Sequence, residues 1–203
     1  GTMTQFYTLL SQKLKAQRGR GMDAVIVGNH DVRDANYIAN MASLAASGVP
    51  VLSVNICQKG THTPYFAAST IVTIDGVKIG ILGYTTQASE VGASLSDSID
   101  VVNCDWSSTD SSKIHLADQV KDLRTNQGCD IVILLAHIGH SSLVDPAAPL
   151  LVDDGSTKLP EVAVTGHWHT WTDTVWQPAI LNYKTIFTES CSYMKYLGEL
   201  TID

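Results

Sequence analysis

Basic residues are scarce in this 203-residue chain: 13 Lys+Arg stand against 20 Asp+Glu, a formal net charge of −7. A non-specific nucleic-acid binder carries a basic face, so that class is excluded. Long apolar runs are missing as well. No stretch approaches the roughly 18 residues that a membrane span needs. Cysteine is sparse, with Cys57, Cys104, Cys129 and Cys191 forming no CxxC, which excludes a disulfide-dense scaffold. Free buried thiols and a single disulfide both stay open. Six prolines and 15 glycines are too few for a collagen-like chain. No Asn-x-Ser/Thr sequon is present, so there is no positive sign of secretion. Residues Gly1 to Phe6 have neither a charged n-region nor an apolar h-region. Gly1-Thr2-Met3 reads as a cloning scar or as a sequence entered midway.

What is present is core-forming. Hydrophobic residues make up 44% and charged residues 16%, a balance that excludes a disordered tail. The length suits one domain with a sizeable core, here residues 1–203. The acidity does not bear against a small anionic substrate, because bound cations set the field locally.

Helices and strands alternate along the chain. Phe6, Leu9, Leu10 and Leu14 share one face of a predicted helix over 3–17. A short apolar run over 23–27 reads as a strand buried on both faces. A helix over 34–46, with Tyr37, Ile38, Met41, Leu44 and Ala45 inward, leads to a strand over 51–55. This β–α–β order favours a parallel sheet. Asp75-Gly76 between 66–74 and 77–84 signals a hairpin. Residues 86–112, rich in Ser, Asp and Thr, read as a long irregular loop. A helix over 114–123 follows, then strands over 130–136, 162–165, 173–176, 185–188 and 196–202. The fold class is α/β with mixed sheets flanked by helices.

Three segments directly follow apolar strands, where α/β folds place their sites. They are Val27-Gly28-Asn29-His30-Asp31, Leu135-Ala136-His137-Ile138-Gly139-His140 and Val164-Thr165-Gly166-His167-Trp168-His169. Each alone has a plain reading as turn chemistry or a hydrogen-bonded histidine. Together they bring an amide and several imidazoles toward one crevice, a donor set that suits Zn, Mn or Fe. Gly28 and Gly166 are expected to allow tight turns before Asn29 and His167. Asp153-Asp154-Gly155 reads as a polar turn rather than a calcium loop.

The ordered set Gly28-Asn29-His30-Asp31, His137 and Gly166-His167-Trp168-His169 resembles the last three motifs of the calcineurin-like metallophosphoesterases. That family orders its motifs D-x-H, GDxxD, GNH(D/E), a lone His and GHxH. Pro50-Val-Leu-Ser-Val-Asn55, Lys78-Ile-Gly-Ile-Leu-Gly-Tyr84 and Tyr196-Leu-Gly-Glu-Leu200 resemble its 5′-nucleotidase branch. The resemblance implies a two-sheet sandwich and two divalent metal ions (Zn, Mn or Fe). It implies Asn29, His137 and His167 as ligands of one metal and His169 as a ligand of the other. His30 is implied to contact the transferring phosphoryl group, with Asp31 as a supporting partner nearby. An Asp of that branch supports this His; its place is taken here by Arg33, so the expectation moves to Asp34.

The implied activity is metal-dependent hydrolysis of a small phosphorylated substrate, in particular a nucleotide, by a metal-bound hydroxide. Two other readings stay open: a phosphodiesterase, and a non-catalytic binding protein of the same fold. D-x-H and GDxxD would precede Asn29, yet no Asp precedes Asp23 and no His precedes His30. A fragment is therefore expected, holding two-thirds to three-quarters of the domain. Its expected partners are an upstream segment of the same precursor and a C-terminal domain that supplies a nucleobase site. A secretory, periplasmic or vacuolar setting is favoured by the resemblance alone. Trp168 and Trp171 read as packing or lid residues before substrate-stacking ones. His140 reads as a site-side partner or a solvated helix start, and His62 and His115 as structural or exposed.

Overall fold

From Ile131 to His137 every second residue is buried: Val132, Leu134 and Ala136 turn to one face. That is the period of a strand with a packed side. In the computed structural model this strand lies inside a six-stranded mixed sheet. Residues 2–107, 109–144, 150–152, 155–176, 185–192, 195 and 197–201 are described. Their elements are α1 (Thr2–Arg18), β1 (Val25–Ile26), α2 (Ala35–Ala46), β2 (Val51–Leu52), β3 (Ile56–Gln58), β4 (Ser69–Ile74), β5 (Val77–Thr85) and β6 (Ile99–Val101). There follow β7 (Cys104–Asp105), β8 (Ile114–His115), α3 (Leu116–Thr125), β9 (Ile131–His137), α4 (His140–Leu143), β10 (Val162–Thr165), β11 (Trp171–Trp176) and β12 (Thr185–Ser190).

The sheet order is β11-β12-β10-β9-β5-β4. Its four inner strands run parallel and both edge strands antiparallel. The β4–β5 turn places Asp75 and Gly76 both at positive φ, 51° and 87°, the geometry that suits the twist of a two-residue hairpin. β1 and β2 pair in parallel across α2, with Val25 opposite Val51. The mixed α/β architecture with flanking helices agrees with the sequence. Among the described residues, the other strands form three two-stranded sheets, β1–β2, β3–β6 and β7–β8.

The large sheet and the β1–β2 pair meet closely. A Cβ on Gly83 would lie 2.5 Å from Leu52 Cβ and 2.8 Å from its carbonyl carbon. Beside this contact sits a buried polar junction. Asn55 donates to Thr85 O at 2.8 Å and accepts from Thr85 N at 3.0 Å. The Thr85 hydroxyl donates to Val27 O at 2.7 Å. Buried polar groups satisfied in this way fix register, and here they fix the end of β1 on the end of β5.

The core has two parts. One packs α3 on the large sheet through Leu116, Val120, Leu123, Leu134 and Phe187. The other packs α2 on β1 and β2 through Ile38, Leu44, Val27 and Val51. All four cysteines are free thiols, three of them buried.

Several sequence expectations are corrected. Leu9 and Tyr37, expected inward, are each 53% exposed. Tyr7 packs toward the α2 core instead. The segment over 86–112 is ordered in part: it contains β6 and β7 and buries Leu95, Ile99 and Trp106. No strand forms over 197–201 among the described residues. Asp153 and Asp154, read as a polar turn, lie outside the described residues, as does Tyr196.

Candidate functional site

β9 and β10 pair in parallel with Thr165 opposite Ala136, so their carboxyl ends stand side by side. His137 closes β9, and Gly166 and His167 leave β10 next to it. The Thr85–Val27 bond carries the segment after β1 to the same edge. The three sequence segments therefore converge.

Asn29, 7% exposed, and His137 meet at 3.0 Å between Oδ1 and Nε2. An amide oxygen only accepts, so the proton of this contact is assigned to Nε2. The His137 and His167 rings stand edge to face with centroids 5.1 Å apart. Burial above all, then the neighbouring imidazoles of His167, His30 and His169, hold the His137 pKa down to about 4. Burial also lowers that of His167, assisted by His169 and His30 and opposed by Glu189. Both rings are thus held toward the neutral form in which imidazole binds cations.

The glycines act differently from expectation. Neither Gly28 nor Gly166 takes a positive φ; His167 and His169 do, at 77° and 60°. Side chains other than Gly rarely hold this conformation, and such strain is concentrated at functional sites. Gly28 serves close approach instead. A Cβ there would lie 3.1 Å from His137 Cε1 and 3.2 Å from Nε2.

Glu189, which no sequence motif singled out, brackets the strained loop. Its carboxylate is 1% exposed. It accepts from Thr165 Oγ1 at 3.4 Å, before the loop, and from Thr170 N and Oγ1 at 3.2 Å each, after it. A lone charge in the alternately buried strand β12, among Thr, Ser, Ile and Phe, was the available signal.

His30 and His169 lie in electrostatic range of His137 and His167. His30 is exposed, and its Nδ1 lies 3.2 Å from an Arg33 guanidinium nitrogen. Asp34 caps α2, accepting from Asn36 N at 2.7 Å. Asp31 folds the loop on itself by accepting from Gly28 N at 2.8 Å. His169 is exposed on the loop after His167. Trp168 lies against Gly139, where a Cβ would meet its ring at 2.4 Å, and is 49% exposed. Trp171 is 58% exposed on the edge strand β11. The His140 ring faces Phe187, and His115 lies beside Asp105 and Asp118.

No family model matches the chain. Protein UshA of Yersinia enterocolitica is 28% identical over 123 residues, 59% of this chain and 20% of the relative. A 5′-nucleotidase of Diplobatis ommata is 27% identical over the same extent. The solved sulfate thiohydrolase SoxB of Thermus thermophilus superposes with a TM-score of 0.62 at 16% identity, covering 94% of this chain and 31% of that one. The chain shares the fold of this solved structure and is similar in sequence to UshA and 5′-nucleotidase relatives over 59% of its length. It spans about a fifth of the length of these curated relatives.

This metallophosphoesterase-fold chain fits a cation only in part. Asn29 Oδ1 and His137 Nε2 face each other with His167 beside them, and a cation there would take the place of the shared proton. Among the described residues, no three His, Cys, Asp or Glu side chains gather closely enough to hold a metal ion.

Proposed function

We propose that the chain carries part of a phosphoester-hydrolase site of the 5′-nucleotidase type. On its own it binds one divalent cation and a small phosphorylated molecule, and does not turn the ester over. The observation that carries this is the Asn29–His137 contact at 3.0 Å with His167 packed against it. Asn29, His137 and His167 would hold the cation, and a divalent ion there supplies charge for phosphate oxygens. His30 faces solvent beside them. Because Arg33 donates to its Nδ1, the imidazole keeps its proton on Nε2, free to donate to a phosphoryl oxygen.

The absence of a three-residue ligand group among the described residues favours binding over dinuclear catalysis. The order of the three motifs favours the second reading, a dinuclear phosphomonoesterase acting on nucleotides. Calorimetric titration with Mn or Zn, followed by an aryl-phosphate assay, separates the two. We expect one cation per chain, loss of that cation in His137→Ala, and hydrolysis at background. Two cations with metal-dependent turnover would establish the catalytic reading, and no cation uptake at all would sink both.

A further inference from the structure

Arg33 is flanked in sequence by carboxylates that leave it alone. Asp31 turns its carboxylate to the backbone N–H of Gly28, and Asp34 turns its own to that of Asn36. Among the described residues no carboxylate lies within ion-pair distance of Arg33, whereas Arg20 and Arg124 each have one. Arg33 is thus an exposed cation in contact with His30 and open to an anionic ligand.

Its position is fixed by the backbone. The strap over 86–98 crosses here, with Gly92 N donating to Val32 O at 2.9 Å. A Cβ on Gly92 would fall 1.9 Å from Arg33 O, so only glycine allows this crossing. The guanidinium ends beside His30 at 3.2 Å. His30 in turn lies in electrostatic range of His137 and His167. Arg33 therefore extends the imidazole cluster outward with a permanent positive charge and several unused N–H donors.

We propose that Arg33 selects the charge class of the ligand: it favours phosphomonoester dianions over diester monoanions. The physical reason is the second negative charge. A monoester presents an additional anionic oxygen, which a planar guanidinium can meet with paired charge-assisted hydrogen bonds. A diester carries an alkyl group at that oxygen and offers nothing to bind. The inference rests on the reading above that His30 faces the phosphoryl group.

The test is titration of the full chain, with Mn present, by phenyl phosphate and by phenyl methyl phosphate at roughly pH 8, where the monoester is doubly charged. Wild type, Arg33→Ala and Arg33→Lys are compared, with circular dichroism as the control for folding. We expect Arg33→Ala to weaken the monoester by about tenfold and the diester by less than about threefold. Arg33→Lys should recover part of the loss, since it restores charge without the planar fork. Equal weakening of both ligands, or of neither, overturns the role of Arg33 while leaving the phosphate site intact. Binding of neither ligand by wild type overturns the site reading and this inference with it.

Discussion

Glu189 shows how much a single side chain can organise at this site. A buried carboxylate survives only if its oxygens are satisfied, and here the satisfying donors come from both ends of the loop carrying His167 and His169. Removing it takes the acceptors away from the Thr170 N–H and hydroxyl, while Thr165 Oγ1 keeps Thr188 O. Glu189→Ala is expected to cost about 2–3 kcal/mol and to release Thr170 N–H to hydrogen exchange. Glu189→Gln retains an acceptor oxygen and should keep most of the protection. Thermal melts with amide exchange at residues 166–170 read both effects; an Ala variant as protected as wild type would falsify the bracket. The comparison also shows why sequence found some site residues and missed this one. Asn29, His137 and His167 are metal-binding types at strand ends, visible in one dimension. Glu189 acts through Thr165 and Thr170, 24 and 19 positions away, and nothing local announces that pairing. Asp34, to which the resemblance moved the support of His30, caps α2 through Asn36 N, as an aspartate before a helix readily does.

At the scale of elements, periodicity was a good guide where it had room to repeat. β9 alternates over seven residues and α3 keeps Leu116, Val120 and Leu123 on one side, so both were legible. β6, β7 and β8 span two or three residues each, too short for any period; the first two fell in the stretch read as loop and β8 in the helix predicted over 114–123. α1 had a readable period but an ambiguous face. It packs mainly against α2, leaving Leu9 outside. What no pattern discloses is how layers approach each other. Gly80 and Gly83 both lie in β5, yet they differ in what surrounds them. A Cβ at Gly80 would meet Cys129 Sγ at 3.0 Å and the tips of Leu123, side chains that can give way. At Gly83 it would meet Leu52 Cβ and main chain within 3.0 Å. Gly80→Ala should cost about 1 kcal/mol and Gly83→Ala about 3 kcal/mol or more, since overpacking against backbone cannot relax locally. Urea unfolding of the two variants measures the difference, and equal midpoints would show that the layers are not clamped at Gly83.

Over the whole molecule the site imposes a pH dependence with a definite sign. His137 has a pKa of about 4 in the folded chain against 6.5 when exposed, with burial as the leading cause. Between those values the unfolded chain binds a proton that the folded chain refuses, so stability falls as pH drops. The contribution is complete above about pH 6.5, is lost progressively below it, and is gone below about pH 4. The shift caps it at about 3 kcal/mol, and the part-exposed ring realises less. Two other effects run the opposite way. Burial raises the Asp31 carboxyl, so the folded chain takes up that proton more readily than the unfolded one and gains stability toward acid. Self-repulsion in a chain of net charge −7 also eases as carboxylates protonate. The raw acid profile therefore mixes signs, and a difference isolates the histidine. His137→Asn removes the titrating ring while leaving Asp31 and the surface charges in place. Urea midpoints at about pH 7.5 and about pH 5 should fall further for wild type than for the variant, by up to about 2 kcal/mol. Parallel profiles would mean that His137 is solvated enough to protonate freely, and the neutral imidazole cluster on which the proposed cation binding depends would go with it.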